Sequence, residues 1–340
     1  MPPSCCRPCR YWLGRAVRSE IRLVAGARPP PGAYDADIII LSLNRPAETK
    51  EAIASALGQR GGEFHVSVLD QGSSPEMLRE LIERFGKTRN FALYAASANH
   101  GVAGGRNRLA GFGHGQILVG LDNDARFADN KVVAGAVRRF QRESDLGALA
   151  FCILAADGQA PDLGCWGYSP TLLPRLRGRF EVTRFVGAGH AIRRAAWQAV
   201  GGYDESFFFA WEEYDFCLSA ISRGWRILYD GGLSVIHTSA VEARLRWQDE
   251  RTRHFIRNRL IIGRKWGQSW LTLSPRILGY GLVAARHARL KAAWDGIRQG
   301  MTAPIAEVRT MPRLMRDYIK RHEVRHQAPL FSRLLRACAR

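Results

Sequence analysis

An alternation of strand-like and helix-like segments over residues 35–127 constrains the fold of this chain more than any other feature. Four apolar runs have the composition of buried β-strands, namely residues 35–43, 64–70, 91–97 and 117–122. Between them apolar residues recur at helical spacing, and Ser74 followed by Pro75 is typical of a helix N-terminus. This alternation predicts an α/β fold in which a mostly parallel sheet is covered by helices on both faces.

Carboxylates stand at the ends of two of the predicted strands. Asp70 ends one of them, and Asp122 and Asp124 end another with only Asn123 between them. Ligands of parallel sheets bind beyond the C-terminal strand ends, so these residues are candidates for a binding site. The alternative is structural, because Asp is also common in solvated turns and as a cap.

Asp122 and Asp124 need a positive partner if their carboxylates lie side by side. Two such charges repel by about 1 kcal/mol in water and by roughly 4 kcal/mol nearer a protein interior. Hard oxygen ligands suit Mg²⁺ or Mn²⁺, which often bind through one or two carboxylates together with substrate phosphates. The pair therefore predicts a divalent metal site, and Asp70 is a candidate acceptor for the imide N–H of a uracil or thymine ring.

A second acidic cluster falls at the start of a predicted helix within residues 207–225. Apolar residues there follow the i, i+3, i+4, i+7 rule, at Tyr214, Cys217, Leu218 and Ile221. This places Glu212, Glu213 and Asp215 in the first turn, where acids also favour the helix dipole. Three acids next to Trp211 are more than the helix dipole alone would explain. A carboxylate that an aromatic ring partly shields from water is a candidate general base, because desolvation raises its pKa.

Two further segments are candidates on less evidence. The glycine-rich segment 99–108 precedes a helix, so its backbone N–H groups and Arg106 are candidates to face a phosphate, with close backbone packing as the alternative. His237 ends a short predicted strand, and it gains a chemical role only if it meets Asp122 and Asp124 in space.

Positive charge is concentrated at the two ends of the chain. The net charge of the chain is +19. Residues 1–34 carry six Lys/Arg and one acid, and residues 241–340 carry 22 Lys/Arg and seven acids. Residues 35–240 are near neutral, with 22 Lys/Arg and 23 acids. These boundaries predict a basic N-terminal tail and linker, a central α/β domain and a basic amphipathic helical extension. Basic flanks around a near-neutral body suit a surface of phosphates.

Because the apolar runs are shorter than a bilayer span or a signal peptide requires, we expect a cytoplasmic protein.

Taken in order, these motifs resemble those of the family 2 glycosyltransferases of the GT-A fold. The corresponding segments are Ser42-Leu43-Asn44-Arg45, Asp70-Gln71-Gly72-Ser73-Ser74, Asn99 to Asn107, Asp122-Asn123-Asp124, "GAGHAIRRAAW", "GGYDE", the second acidic cluster and the strand that ends in His237. The match covers roughly residues 35–265. Near its end, "RHFIRNRL" is similar to the basic tail of a rhamnosyltransferase-like branch.

The resemblance implies a role for each of these residues in a catalytic domain of residues 35–240. Glu213 would act as the base, with Glu212 and Asp215 as close alternatives, although the family usually has an aspartate at that place. The residues implied in donor binding are Ser42, Asn44, Arg45, Asp70, Gly101, Arg106, Asp122 and Asn123. The residues implied in holding Mg²⁺ or Mn²⁺ are Asp122, Asp124 and His237. We assign to the sugar or acceptor pocket Trp166, Gly187, Gly189 and Trp211.

The activity implied is inverting transfer of a hexosyl or deoxyhexosyl group, of rhamnosyl or galactosyl type. The donor would be a UDP- or dTDP-sugar, and the acceptor a hydroxyl of a lipid-linked or growing glycan in cell-envelope polysaccharide assembly. The basic helices of residues 241–340 would hold the enzyme at the anionic inner face of the membrane, or else simply brace the catalytic domain.

Two other classes of protein remain as alternatives to an enzyme. One is a non-catalytic scaffold of a glycan-assembly complex that binds a nucleotide sugar. The other is a nucleic-acid-binding protein, which we do not expect because the sequence has no helix-turn-helix, RNA-recognition or finger motif and its central part is near neutral.

Overall fold

The computed structural model describes residues 20–238 and 249–326. Its strands are β1 (Ile21–Gly26), β2 (Ala36–Ser42), β3 (Phe64–Asp70), β4 (Phe91–Ala96), β5 (Ile117–Asp122), β6 (Ala125–Phe127), β7 (Leu146–Leu154), β8 (Arg179–Glu181), β9 (Gly189–Arg193) and β10 (Arg226–His237). Its α-helices are α1 (Pro46–Leu57), α2 (Pro75–Phe85), α3 (Gly101–Ala110), α4 (Val132–Arg142), α5 (Arg194–Val200), α6 (Glu212–Ile221), α7 (Asp249–Lys265), α8 (Trp270–Arg286), α9 (Leu290–Thr302) and α10 (Arg313–His322).

The ten strands form one sheet in the order β1-β4-β3-β2-β5-β9-β7-β10-β6, with β8 paired to β10. The central strands β4, β3, β2 and β5 are parallel, and so are β7 and β10, while the remaining pairs are antiparallel. Helices cover both faces of the sheet through two large apolar cores. The predicted α/β class, with a parallel central sheet flanked by helices, is therefore confirmed.

The strands and helices predicted between residues 35 and 122 all occur. Strands β2 and β3 are buried along nearly their whole length, as expected for parallel strands covered on both faces. Helix α2 begins after Ser74, whose hydroxyl accepts a hydrogen bond from the Met77 N–H at 3.3 Å. Local periodicity and capping residues thus determine this half of the fold.

Residues 21–26, which fall within the predicted N-terminal tail and linker of residues 1–34, form strand β1 instead. This strand pairs antiparallel with β4 at the edge of the sheet. The parallel run of strands would otherwise leave the edge of β4 with unpaired N–H and C=O groups, and β1 covers that edge. Ile21 and Leu23 pack against the small core that contains Tyr94.

The C-terminal helices share a core with the sheet domain. Ile261 and Ile262 of α7 and Met315 of α10 are buried in the same cluster as Phe216 and Leu218 of α6. The predicted domain boundary at residue 240 lies outside the described residues. In the part of the chain that the structure describes, no helix combines the length and apolar content needed to cross a membrane.

Candidate active site

The candidate site lies where strands β2, β3 and β5 end side by side. Ser42 is in register with Asp70, and Leu41 is in register with Asp122. Strand β10 ends nearby, because His237 pairs with Ala125 immediately after the Asp122-Asn123-Asp124 turn. The sheet topology therefore brings together carboxylates that are far apart in the sequence.

Asp124 sits between two basic side chains. His237 Nε2 lies 3.0 Å from one carboxylate oxygen of Asp124, and the guanidinium of Arg45 pairs with the other oxygen. Arg45 is brought there by the turn between β2 and α1, in which Asn44 and Arg45 adopt left-handed φ values of 59° and 58°. His237 therefore contacts the Asp-x-Asp segment, which was the condition for a chemical role of this histidine.

His237 has a second set of partners on its other ring nitrogen. Its Nδ1 lies 3.0 Å from Asp162 Oδ2 and 3.5 Å from Cys165 Sγ. Burial alone would lower the pKa of His237, but the hydrogen bonds to Asp124 and Asp162 raise it to about 11. Asp162 and Cys165 were missed by the sequence analysis, because nothing local marks them and their partner lies more than 70 residues away.

Arg106 links the two acidic clusters of the site. One of its guanidinium nitrogens lies 2.7 Å from Asp122 Oδ1 and 2.9 Å from the Gly187 carbonyl oxygen, and the other lies 3.2 Å from Glu213 Oε1. Its side chain is only 3% exposed. A Cβ on Gly187 would lie 2.5 Å from Glu213 Oε1, so a larger residue there would displace the Glu213 carboxylate. The partners of Arg106 in this structure are thus carboxylates and a carbonyl.

Glu213 and Glu212 have different surroundings, although both begin helix α6. Burial raises the pKa of Glu213, and Arg106 opposes that rise. Burial and the adjacent Glu213 raise the pKa of Glu212 well above its usual range. The closeness of the two carboxyl groups thus favours the neutral form of Glu212 next to Glu213, whose charge Arg106 stabilises.

The third acid of the cluster, Asp215, points toward helix α7. Its carboxylate lies 2.8 Å from Lys265 Nζ, which also pairs with Asp204 at 3.0 Å. Burial raises the pKa of Asp215, against the effect of Lys265. Of the three predicted acids, Glu213 is therefore the one that the Arg106 ion pairs connect to Asp122.

The turn before α6 is held in an unusual backbone conformation by helix α7. Ala210 and Trp211 have φ values of 68° and 74°, in the left-handed region that non-glycine residues rarely adopt. The Asn258 amide donates to the carbonyl oxygens of Phe209 and Ala210 at 2.8 and 2.9 Å. The Trp211 ring packs on Phe255 at 4.9 Å between centroids. The "RHFIRNRL" segment thus supports the turn that positions the acids.

Asp70 is buried and satisfied by its own turn. It accepts hydrogen bonds from the backbone N–H groups of Gly72 and Ser73, and from the hydroxyls of Ser42 and Ser73. Asp70 therefore has the structural role in a turn that was the alternative to a binding role. The predicted contact with a nucleobase stays a prediction.

The other predicted residues lie around this edge of the sheet. Asn123 donates to Thr49 Oγ1 at 3.0 Å, which fastens the Asp-x-Asp turn to α1. Gly101 has a φ of 70°, and a Cβ there would lie 2.2 Å from the Phe208 carbonyl oxygen, which explains the glycine. Trp166 donates from Nε1 to the Ser169 carbonyl oxygen, and Gly189 is buried in the sheet against Val235. The pocket roles of Trp166 and Gly189 stay predictions.

Comparison with known proteins gives one family match and several similar folds. Residues 37–201 match the model of "Glycosyl transferase family 2", a range that ends before α6. A Haemophilus influenzae protein described as "Uncharacterized protein" is 28% identical over 166 residues, which is 46% of this chain and 85% of that protein.

Three solved structures show the shared fold. GalNAc-T7, crystallised with UDP, GalNAc and Mn²⁺, is 15% identical with a TM-score of 0.58, over 81% of this chain and 57% of that one. The mannosyltransferase PcManGT of Pyrobaculum calidifontis, in complex with GDP-Man and Mn²⁺, is 16% identical with a TM-score of 0.55, over 93% and 87%. S. aureus TarS is 16% identical with a TM-score of 0.50, over 73% and 43%.

The chain thus spans little more than half of the GalNAc-T7 chain and less than half of the TarS chain. At these identities the structural likeness concerns the fold, and the family rests on the match of residues 37–201. Residues 37–201 therefore match a glycosyl transferase family 2 domain, and the sheet that contains them has the GT-A fold.

Proposed function

We propose that the protein is an inverting glycosyltransferase of the rhamnosyltransferase-like branch. It transfers a hexosyl or deoxyhexosyl group from a UDP- or dTDP-sugar to a hydroxyl of a lipid-linked or growing glycan in cell-envelope polysaccharide assembly. The observation that carries this proposal is the network in which Arg106 joins Glu213 to Asp122, beside the pairing of Asp124 with His237.

Asp122, Asp124 and His237 would hold a divalent cation, Mg²⁺ or Mn²⁺. Two carboxylates and an imidazole nitrogen are suitable donors for Mn²⁺, and Asp124 already attracts two basic side chains in this structure. When bound, the cation would offset the negative charge of the nucleoside diphosphate.

The chain's own residues would align the acceptor and take its proton. The acceptor oxygen forms a bond to C1 of the sugar while the bond from C1 to the diphosphate oxygen breaks, so the anomeric centre inverts. The acceptor hydroxyl loses its proton to Glu213, whose carboxylate Arg106 orients and whose neighbour Glu212 is held protonated. Arg45, partly exposed next to Asp124, is placed to contact the departing diphosphate.

A donor screen by thermal shift and by hydrolysis tests the proposed function. In the presence of Mn²⁺, UDP or dTDP should raise the Tm, since ligand at 100 times its Kd stabilises by about 2.7 kcal/mol. One UDP- or dTDP-sugar should also be hydrolysed slowly without acceptor. If no nucleotide raises the Tm, the proposal is wrong. If nucleotides bind but no donor turns over with any glycan acceptor, the scaffold alternative replaces it.

Replacing Asp162 by asparagine is expected to weaken Mn²⁺ binding by ~10–100-fold. Asp162 accepts a hydrogen bond from His237 Nδ1–H, and this bond keeps Nε2 turned toward Asp124. Asparagine keeps the shape but can present an N–H to Nδ1 and favour the wrong tautomer. The measurement is Mn²⁺ titration followed by electron paramagnetic resonance, without substrate.

Cys165→Ser is the matched control for Asp162, because Cys165 contacts the same ring nitrogen at the longer distance of 3.5 Å. It should leave the Kd for Mn²⁺ within about twofold of the wild type. Equal Mn²⁺ affinity in the wild type and Asp162→Asn would show that Asp162 only packs against His237.

We also propose that the enzyme works peripherally at the cytoplasmic face of the membrane, where a lipid-linked acceptor is available. The support is the excess of Lys/Arg over acids in residues 249–326, with 17 against six. Charges near an anionic leaflet contribute about 1 kcal/mol each, so a few contacts suffice for binding.

A further inference from the structure

An outward-facing apolar surface on helices α8 and α9 lies outside the site described above. It consists of Trp270, Leu271, Leu278, Leu282, Leu290 and Trp294, and we call it the α8–α9 apolar face. These six residues are half of the large hydrophobic side chains exposed among the described residues. Single exposed apolar residues are ordinary, but a cluster within 25 residues of chain indicates an interaction surface.

Helix α8 is apolar on two opposite sides. Its inner side packs on α7 and α9 through Leu273, Ile277, Tyr280 and Ala284. On its outer side Leu271, Leu278 and Leu282 follow at spacings of seven and four residues, so they share one face, and they are 80%, 68% and 54% exposed. A helix with two apolar sides normally has both of them covered, but within residues 20–238 and 249–326 this outer side is left exposed.

Basic residues border the α8–α9 apolar face. Arg286 ends α8, His287 and Arg289 lie in the turn between α8 and α9, and Lys291 is the second residue of α9. Residues 249–326 carry 17 Lys/Arg against six acids, and this excess of positive charge makes a negatively charged surface the complementary partner.

We propose that the α8–α9 apolar face docks on the surface of an anionic lipid bilayer. The tryptophans and leucines enter the interfacial layer while the neighbouring Lys and Arg contact headgroup phosphates. Such docking does not depend on glycosyl transfer, and it supplies the contact surface for the membrane association proposed above.

Vesicle flotation of the full chain tests this proposal. The wild type should float with vesicles of equal parts phosphatidylcholine and phosphatidylglycerol, and less with phosphatidylcholine alone. The double variant Leu278→Ser, Leu282→Ser should partition at least about tenfold less, because two leucines no longer bury apolar area. The charge variant Lys291→Glu should bind less to the anionic vesicles only.

Leu314→Ser is the matched control, because Leu314 is a similarly exposed leucine on α10, outside the face. It should float like the wild type, and circular dichroism melts of all variants check that they are folded. Equal flotation of the double variant and the wild type would overturn the proposal, as would no flotation at all. Self-association of the wild type that the double variant abolishes would assign the face to a second copy. UDP binding, measured on the same samples, reports separately on the proposed function.

Discussion

Replacing Glu213 by glutamine is expected to lower turnover by ~10²–10⁴-fold while the Kd for the donor stays near that of the wild type. Glutamine has the size of glutamate and can still meet Arg106, which lies 3.2 Å from Glu213 Oε1. It cannot accept the proton of the acceptor hydroxyl. Steady-state kinetics with the identified donor and acceptor, together with calorimetric donor binding, measure the two quantities separately.

The neighbouring acids provide the controls for Glu213. Glu212→Gln should cost less turnover, because burial and Glu213 raise the pKa of Glu212 and so disfavour the ionised form that a base requires. Asp215→Asn should mainly lower the free energy of unfolding, by about 3 kcal/mol, because it leaves Lys265 without one of its two carboxylate partners. A large loss of turnover in either of them, with Glu213→Gln active, would move the role of base to that neighbour.

The sequence predicts the central sheet well because its determinants are local. Strand β3 and helix α2 are specified by an apolar run and by the Ser74-Pro75 cap, which need no knowledge of distant residues. Strand β1 was missed for the opposite reason. Its place depends on the free edge of β4, and that edge exists only after the whole sheet has formed.

The part of the candidate site that lies at the ends of strands could be predicted from the sequence. Asp122, Asp124 and His237 meet because their strands end at one edge, which the alternation of strands and helices already implies. The partners of Arg106 were not predictable, since its ion pairs join α3 to the end of β5 and, across 107 residues, to the start of α6. Asp162 was missed because it lies in a loop whose position no periodic pattern describes.

The C-terminal region shows what residue composition alone leaves open. Its charge predicts contact with phosphates, and its amphipathic pattern fits both a brace and a membrane surface. Helix α7 acts as a brace, because it supports the turn at Ala210 and Trp211 through Asn258. Helix α8 turns leucines outward, and its contact with a membrane stays a proposal.

Replacing Asp124 by alanine is expected to abolish most of the Tm rise that UDP and Mn²⁺ produce together. Asp124 faces His237 at 3.0 Å and is a donor of the proposed cation site at the end of β5. Without it the remaining donors, Asp122 and His237, no longer form a set that neutralises a divalent charge. In the wild type, EDTA should remove the same part of the Tm rise.

The alanine variant also leaves Arg45 and His237 without a shared carboxylate, so its own Tm will change. The decisive quantity is therefore the difference between Tm with and without Mn²⁺ and UDP, compared for each variant with its own baseline. Asp124→Asn, which keeps the side-chain volume, should lose the same difference, and Glu83→Ala, at an exposed acid of α2, should keep it. A metal-dependent rise of wild-type size in both Asp124 variants would place the cation elsewhere. In that case the pairing of Asp124 with Arg45 and His237 would be structural, an ion-pair cluster that closes the ends of β5 and β10.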